Sequence, residues 1–377
     1  MLYLEIGPLG EPEYTGIPHV TAGIAEQMLG DSKNEPRFFF RRQMIGNREV
    51  ESMLKRRGGE LLRWYARRAN TPPAPLDLPG KSVGIFPNVK TARRIFDYEV
   101  QVFHDLSALL TPQFHTRDTI EYHAHTVLND ILTNDLTICV SDATRDDALR
   151  YLKPPDPSRV VTIHPAHSWP AECRAAYEAV VKAPEFAGAE IEPYVLILGT
   201  IEPRKNIGVV LDYLRRTPII LDYFRFVFVG RHGWGEAFEA YLQRHGVLKP
   251  YQEKRILFTG YVSEEAKYAL MKGSRLVVYP SLFEGFGLPV LEALSLGANV
   301  LTTRSSSIPE VGGDACHYFD PFDDDGFDTG FQRALANLRN AESGERAIAR
   351  SAQFTWPTFY RSMLEAIANV AGDAVAA

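Results

Sequence analysis

Glu284 and Glu292 stand eight residues apart in "PSLFEGFGLPVLEALSLG" (280–297), with a Gly-Phe-Gly turn between them. Carboxylates accept hydrogen bonds from hydroxyls, and hexoses and ribose present hydroxyls in pairs. The glycines supply flexible backbone where N–H groups can converge on an anion or on sugar oxygens. Upstream, "LGTIEPRKN" places Arg204 and Lys205 after a strand-closing Gly199 and at or just before a helix start. Two cations beside helix-terminal N–H groups suit a diphosphate. The stretch is not a P-loop, because GxxxxGK[ST] does not occur. Plainer explanations exist for each piece. A glutamate in the first turn of a helix is favoured by the helix dipole alone, and Arg-Lys in a loop is often only solvated. Taken together, two hydroxyl acceptors, an N–H-rich turn and a cation pair suit a nucleotide sugar. A glycosidase also uses two carboxylates, but it would leave Arg204 and Lys205 unexplained.

These residues need elements to hold them. "SRLVVYP" reads as a buried strand, and "LPVLEALSLG" as a helix with Pro289 in its first turn and Gly297 at its C-cap. The same alternation runs along the chain. "MLYLEIG" is an opening strand, followed by a loop with Gly16 and a helix from about Pro18. "SVGIFPN" and "YEVQVFHDLSAL" are strand-like, "LTICVSDATRDDALRYL" is strand, Ser-Asp cap and helix, and "RVVTIHPAH" is a strand. "TPPAPLDLPG" (71–80) is a loop, and "KAPEFAGAEIEP" (182–193) is the candidate linker. A second alternating set follows from "YVLILG" onward, with helical segments at the end. The apolar residues of the strands run together, as in parallel sheets covered on both faces. Ligands of such sheets bind beyond the carboxyl ends of the strands.

Composition agrees with an ordinary globular protein, at 45% hydrophobic and 23% charged residues over 377. That length implies two domains. Cys139, Cys173 and Cys316 are scattered and odd in number, which excludes a disulfide framework and points to a reducing compartment. No Cys/His cluster has metal-ligand spacing. The N-terminus lacks signal-peptide character, and no apolar run approaches the ~18 residues of a membrane span. The expected location is the cytoplasm. Between Lys33 and Arg68 there are eleven Lys/Arg against four Asp/Glu. This stretch reads either as a solvated helix face or as a patch for anionic lipid on the inner face of a membrane. The net charge of −6 argues against nucleic acid as the partner.

The motifs quoted, with "FVFVG", "ILFTGYVSEEAKYAL", "VYPSLFEGFGLPVLEALSLGANVLTT" and "SIPEVGGDACHYFDP", resemble the retaining GT-B glycosyltransferases of family 4, in their mannosyltransferase-like branch. The resemblance is strong from Tyr194 to Pro321 and looser in "TGIPHVTAGIAEQML", "VFHDL" and "TICVSDATRDDAL". It implies an α/β fold of GT-B architecture, two Rossmann-like domains facing each other across a deep cleft. The expected boundaries are 1–185 for an acceptor-binding domain, 190–352 for a nucleotide-sugar-binding domain, and 353–377 for a helical tail crossing back to the first. It implies that Gly16 approaches the donor phosphates and the acceptor, and that Arg204 and Lys205 neutralise the diphosphate. Tyr261 and Val262 lie along the base. It implies further that Glu284 hydrogen-bonds the donor hexose or supports the reacting centre, that Phe286, Gly287 and Leu288 offer N–H groups to sugar and phosphate, and that Glu292 holds the ribose. The resemblance puts His104 near the transferred sugar and Arg145 near the cleft; on its own, a histidine in "VFHD" reads as a satisfied local hydrogen-bonding group, with Asp105 orienting its ring.

The implied reaction is metal-independent transfer of a hexose with retention, Arg204 and Lys205 supplying the charge that the leaving group needs. The implied donor is GDP-mannose, or in the alternative UDP-glucose or another UDP-sugar, used as substrate with no further cofactor. The implied acceptor is a lipid-diphosphate-linked glycan of polysaccharide assembly, with the basic stretch 33–68 against the membrane. Two features depart from the family pattern. "EYTGIPHVT" has one glycine and puts His19 where arginine is common, and "TIHPAHSWP" brings His164 and His167, which either shape the interdomain cleft or pack there. A UDP-sugar epimerase lacks the Glu-x7-Glu pattern, and a non-catalytic scaffold would not need the intact set Arg204, Lys205, Glu284 and Glu292.

Overall fold

A computed structural model describes residues 1–11, 16–56, 61, 63–64, 78, 81–182, 192–233, 237–323, 325–338 and 341–372. Most of the arginine-rich stretch beyond Arg56, of the proline-rich 71–80 and of the expected linker 182–193 lies outside these residues. The chain divides into two compact units, Met1–His167 with Phe354–Ala377, and Ser168–Gln353.

The first unit is built on a seven-stranded sheet. Its strands are β1 (Leu2–Glu5), β2 (Arg37–Phe40), β3 (Gln43–Ile45), β4 (Val83–Phe86), β5 (Tyr98–Phe103), β6 (Leu136–Cys139) and β7 (Val160–Thr162), in the order β3-β2-β1-β4-β5-β6-β7. Every pairing is parallel except β2 with β3. β1, β4 and β6 are buried along their whole length, which is why apolar residues run together in them, with Glu5 and Thr137 as the polar members. The expected cap after β6 is present: Ser141 Oγ accepts from the Thr144 N–H at 3.0 Å and starts a helix at Asp142. The run "YEVQVFHDLSAL" is only partly strand. It leaves the sheet at Phe103, and Ser107–Leu110 is helical.

The β2–β3 hairpin was not legible in the sequence. Its two-residue turn is Arg41-Arg42, with φ of 48° and 64°. Such a turn ordinarily carries Asn-Gly or Asp-Gly, so the usual signal is missing.

The closing helix Trp356–Ala371 belongs to the first unit. Thr355 caps it by accepting from the Thr358 N–H, and Tyr360 donates to Asp31 Oδ2 at 3.0 Å. Trp356 lies against Gly23 of the helix Gly16–Gly30, so closely that a methyl at Gly23 would fall 2.4 Å from the indole. Gly23→Ala is therefore expected to cost about 1–3 kcal/mol through overpacking. It should lower the thermal midpoint of the first unit, read by fluorescence, and an unchanged midpoint would mean that the indole moves aside.

The second unit is a six-stranded, wholly parallel sheet. Its strands are β8 (Tyr194–Leu198), β9 (Arg225–Val229), β10 (Ile256–Gly260), β11 (Leu276–Tyr279), β12 (Val300–Thr303) and β13 (His317–Phe319), in the order β10-β9-β8-β11-β12-β13. This is the Rossmann order, which reverses direction between β8 and β11. The core joins Val195, Ile197, Phe226, Phe228 and Val278 of the strands to Leu211 and Leu214 of the helix Gly208–Arg216, and to Phe327 and Phe331 of Gly326–Ala336.

The helix Ala171–Lys182 groups with this second unit rather than with the first, where the 1–185 boundary would have put it. The reason is packing on the helix Glu264–Gly273, where Tyr177 meets Tyr268 with ring centroids 5.9 Å apart.

Candidate active site

β8 and β11 are neighbours, with Leu276 beside Val195 and Val278 beside Ile197. The loops leaving their carboxyl ends sit at the point where the strand order reverses, which is where doubly wound sheets bind ligands. The first loop turns as a 3-10 segment, Pro203–Lys205, and ends on Asn206 at a left-handed φ of 52°. The second runs from Pro280 to Gly287. The two are fastened together by backbone, with the Leu282 N–H donating to the Arg204 carbonyl at 2.9 Å.

Hydroxyls from the end of β12, the other neighbour of β11, and from the segment after it hold the second loop. Thr303 Oγ1 donates to the Ser281 carbonyl at 2.5 Å, and Ser306 and Ser307 both donate to the Glu284 carbonyl, at 2.7 and 2.9 Å. A run rich in hydroxyl side chains at the end of a buried strand and just beyond it, "TTRSSS", was the available signal for this role.

Glu284 is thereby fixed at 8% exposure. Lys205 Nζ donates to its Oε1 at 2.6 Å and to the Tyr279 hydroxyl at 2.8 Å. Arg204 Nη1 reaches the same Oε1 at 3.3 Å and the Phe283 carbonyl at 2.8 Å, while Nη2 donates to Glu202 at 2.9 Å. The Ser281 hydroxyl donates to Glu284 as well. Burial alone would push the Glu284 carboxyl up. Lys205 and then Arg204, with the two side-chain hydrogen bonds, outweigh it and hold the carboxyl at about 2. Glu284 is thus ionised throughout the neutral range. In sequence, the cations and the carboxylate looked like separate binders of phosphate and sugar. The structure brings Arg204, Lys205 and Glu284 into one cluster, in which Glu202 and Glu284 balance the two cations.

The turn after Glu284 ends on Gly287, at a φ of 105° that a residue with Cβ would adopt only under strain. The helix Leu288–Ser295 begins there, with Pro289 in its first turn. Its first internal bonds run from Val290 and Leu291 to the Gly287 carbonyl, so the N–H groups of Gly287 and Leu288 precede the helical ladder. Phe286 and Leu288 are themselves buried.

Glu292 is the fifth residue of the helix and so lies in its second turn, not the first. The helix-dipole explanation for it is correspondingly weak. It is buried, and Lys267 Nζ donates to its Oε1 at 2.9 Å. Lys267 had no assigned role in the sequence, because nothing local links it to Glu292. Tyr261 and Val262 follow β10 directly, Tyr261 being exposed and Val262 half-buried. Ser263 then caps the helix Glu264–Gly273 by accepting from the Ala266 N–H.

In the first unit, Gly16 is exposed and opens the helix that follows β1. His104 follows β5. Its Nε2 lies 2.7 Å from the Pro87 carbonyl at the end of β4. A carbonyl only accepts, so Nε2 carries the proton. Burial lowers the imidazole pKa despite the Pro87 bond and the nearby Asp105 charge, so the neutral ring dominates and Nδ1 is its acceptor nitrogen. Asp105, expected to orient this ring, instead accepts from the Ser107 N–H at 2.7 Å and shapes the next turn. Arg145 pairs along its own helix with Asp142 and Asp146, each at 3.3 Å. His19 meets His167 edge to face at 6.0 Å, and His164 meets Phe354 at 5.7 Å. These histidines therefore take part in packing within the first unit.

One further group stands out. Glu5, the last residue of β1, is 3% exposed, and its Oε1 has no hydrogen-bond partner among the described residues. The carboxyl folds over Gly7, where a methyl would fall 2.6 Å from Oε1. Burial raises its pKa to about 7, with the Gly7 N–H opposing.

Residues 183–351 match the model of the family described as glycosyl transferases group 1. The chain is 32% identical over 278 residues to O-antigen chain mannosyltransferase B of Escherichia coli, covering 72% of this chain and 70% of that protein. Its fold is similar to that of WaaG, a glycosyltransferase involved in lipopolysaccharide biosynthesis, at a TM-score of 0.65 and 16% identity over 99% of this chain and 100% of that one. It is similar also to Anabaena HepE in complex with UDP-glucose, at a TM-score of 0.65 and 14% identity over 98% and 100%. Two Rossmann-like α/β units, a cation–carboxylate cluster at the switch point of the second and this degree of identity lead to one assignment: the chain belongs to the group 1 glycosyltransferases and is an enzyme of the GT-B fold.

Proposed function

We propose that the protein transfers mannose, with retention, from GDP-mannose to a hydroxyl of a lipid-linked saccharide. The Arg204–Lys205–Glu284 cluster at the β8/β11 switch point carries the reading. The name of the E. coli relative supports mannose as the sugar and a growing O-antigen chain as the acceptor.

In this reading the second unit holds the donor. The β-phosphate lies at Arg204, Lys205 and the N–H groups of Gly287 and Leu288, and the ribose diol is held by Glu292. Tyr261 and Val262 lie along the base. Glu284 serves as an organiser. Ionised and held on three sides, it accepts hexose hydroxyls and keeps the two cations where charge develops. As the bond from C1 to the phosphate oxygen breaks, negative charge grows on the leaving diphosphate. Preorganised cations and N–H groups stabilise that charge more than the ground state, which lowers the barrier. The acceptor oxygen bonds C1 on the same face, and its proton passes to the departing phosphate oxygen. Neutral His104 offers Nδ1 to a sugar hydroxyl, and the first unit takes the acceptor. The basic stretch 33–68 is proposed to meet the lipid diphosphate or the anionic membrane that carries it.

A thermal-shift series with GDP, UDP, GDP-mannose and UDP-glucose tests the donor. GDP and GDP-mannose are expected to raise the midpoint most, since a ligand at a hundred times its Kd stabilises by about 2.7 kcal/mol. A UDP preference would replace mannose with a UDP-sugar. A midpoint unmoved by all four would overturn the transferase mechanism in favour of a non-catalytic role.

A further inference from the structure

The buried Glu292 carboxylate is supported from two directions by residues outside the Glu284 cluster. Lys267 Nζ donates to Glu292 Oε1 at 2.9 Å and lies 3.1 Å from Glu264 Oε1. The indole of Trp169 covers this ammonium, with Nζ 5.2 Å from the ring centroid. The same indole donates from Nε1 to Ser295 Oγ at 3.0 Å, and Ser295 Oγ donates to the Glu292 carbonyl at 2.7 Å. Tyr268 meets the edge of Trp169 at 5.2 Å and keeps the ring upright. One tryptophan therefore bears on both the carboxylate of Glu292, through Lys267, and its backbone, through Ser295.

The chemistry explains why a cation is needed. A carboxylate buried this far is costly unless a charge or hydrogen-bond donors pair with its oxygens. Burial works against the charge on Lys267, but Glu292 and Glu264 more than restore it, and the ammonium pKa is raised. With one oxygen tied to that ammonium, the plane of the carboxylate is set, and with it the direction of the other oxygen.

We propose that Lys267, aligned by Trp169, is a positioning residue that sets the protein's discrimination for ribose over deoxyribose in the nucleoside diphosphate. The proposal rests on the reading of Glu292 as the ribose acceptor. Lys267 itself touches no substrate. It acts by holding Glu292 in one rotamer, and Trp169 acts by holding Lys267 and the end of the helix.

The test compares binding of GDP and UDP with that of their 2′,3′-dideoxy counterparts by calorimetry on the full chain. A hydrogen bond from a diol to a charged carboxylate predicts that wild-type protein prefers the ribonucleotide by about 10- to 100-fold. Glu292→Ala is expected to bring that ratio to near one. Lys267→Met should do nearly the same while leaving the dideoxynucleotide Kd within about threefold of wild type. Lys267→Arg should restore most of the ratio. A merely structural lysine would weaken both nucleotides together and leave the ratio alone. If Glu292→Ala loses the ratio and a folded Lys267→Met keeps it, the positioning role is overturned and the ribose reading stands. If wild type shows no ratio, or Glu292→Ala keeps it, the ribose reading falls and the proposal with it. Trp169→Phe keeps an aromatic ring at this position and removes the bond from Nε1 to Ser295. It is expected to lower the ratio severalfold and serves where Lys267→Met does not fold. An unchanged ratio in that variant removes Trp169 from the device, and, where Lys267→Met does not fold, an unchanged ratio in Lys267→Gln overturns the part assigned to the lysine.

Discussion

Lys205→Met is expected to lower kcat by about 10²- to 10³-fold, the usual cost of removing one preorganised group that stabilises developing charge. The same change should destabilise the second unit by about 3–5 kcal/mol, because it leaves a buried carboxylate without its nearest cation. The geometry makes both effects follow from one atom. Lys205 Nζ, 2.6 Å from Glu284 Oε1, is the closest positive charge to a carboxyl held at about 2. Arg204 is farther away, at 3.3 Å, and is shared with Glu202 and the Phe283 carbonyl. The double variant Lys205→Met/Glu284→Gln separates the two effects. It removes the orphaned charge, so most of the stability should return, while activity stays low. Urea unfolding and initial rates on the single and double variants check this. A double variant as unstable as the single would show that the lysine stabilises through packing on Tyr279, over whose ring its ammonium lies at 5.2 Å, rather than through Glu284.

The second large effect is expected from Glu5→Gln and depends on pH. The folded-state pKa of Glu5 is raised from 4.5 to about 7 by burial. Between those values the native protein keeps a proton that the unfolded chain gives up. Stability therefore falls as pH rises from about 4.5 to about 7, by roughly 3 kcal/mol for this one group, and is level above that range. Glutamine is a neutral isostere of the protonated form. Glu5→Gln should match wild type near pH 4.5 and exceed it by up to about 3 kcal/mol at pH 8. The difference between the two proteins isolates Glu5 from the other titrating carboxyls. Unfolding midpoints in urea across this range provide the measurement, and parallel curves for the two proteins would sink the idea. Gly7 belongs to the same feature, since a methyl there would fall on Glu5 Oε1.

Much of the architecture was open to inspection along the chain. Apolar residues run together in β4, β6, β8 and β11 because both faces of their sheets are covered, and glycine, proline and Ser-Asp mark where they stop. The helix behind the Gly-Phe-Gly turn was legible for the same local reason, since Pro289 and Gly297 bracket it and Gly287 takes the left-handed φ that lets it begin. Where local chemistry was unusual, the signal failed. The Arg41-Arg42 turn hid a hairpin, and the helix Ala171–Lys182 gave no sign of which unit it would join.

The residue types of the site, and the succession along the chain of the strands and helices that carry them, were thus determined by the sequence alone. Which charge meets which was decided only by the tertiary structure. Lys205 and Glu284 lie 79 residues apart, and they meet because β11 inserts beside β8 in the sheet. Lys267 and Glu292 are 25 residues apart, and Trp169 and Ser295 are 126 apart. Strand order and helix packing are non-local. They are set by how whole apolar faces bury one another, and no spacing along the chain encodes them. The two glutamates of "EGFGLPVLE" look like a matched pair in the sequence. In the folded protein one is held by Arg204 and Lys205 and the other by Lys267, because their loops and helices reach different neighbours.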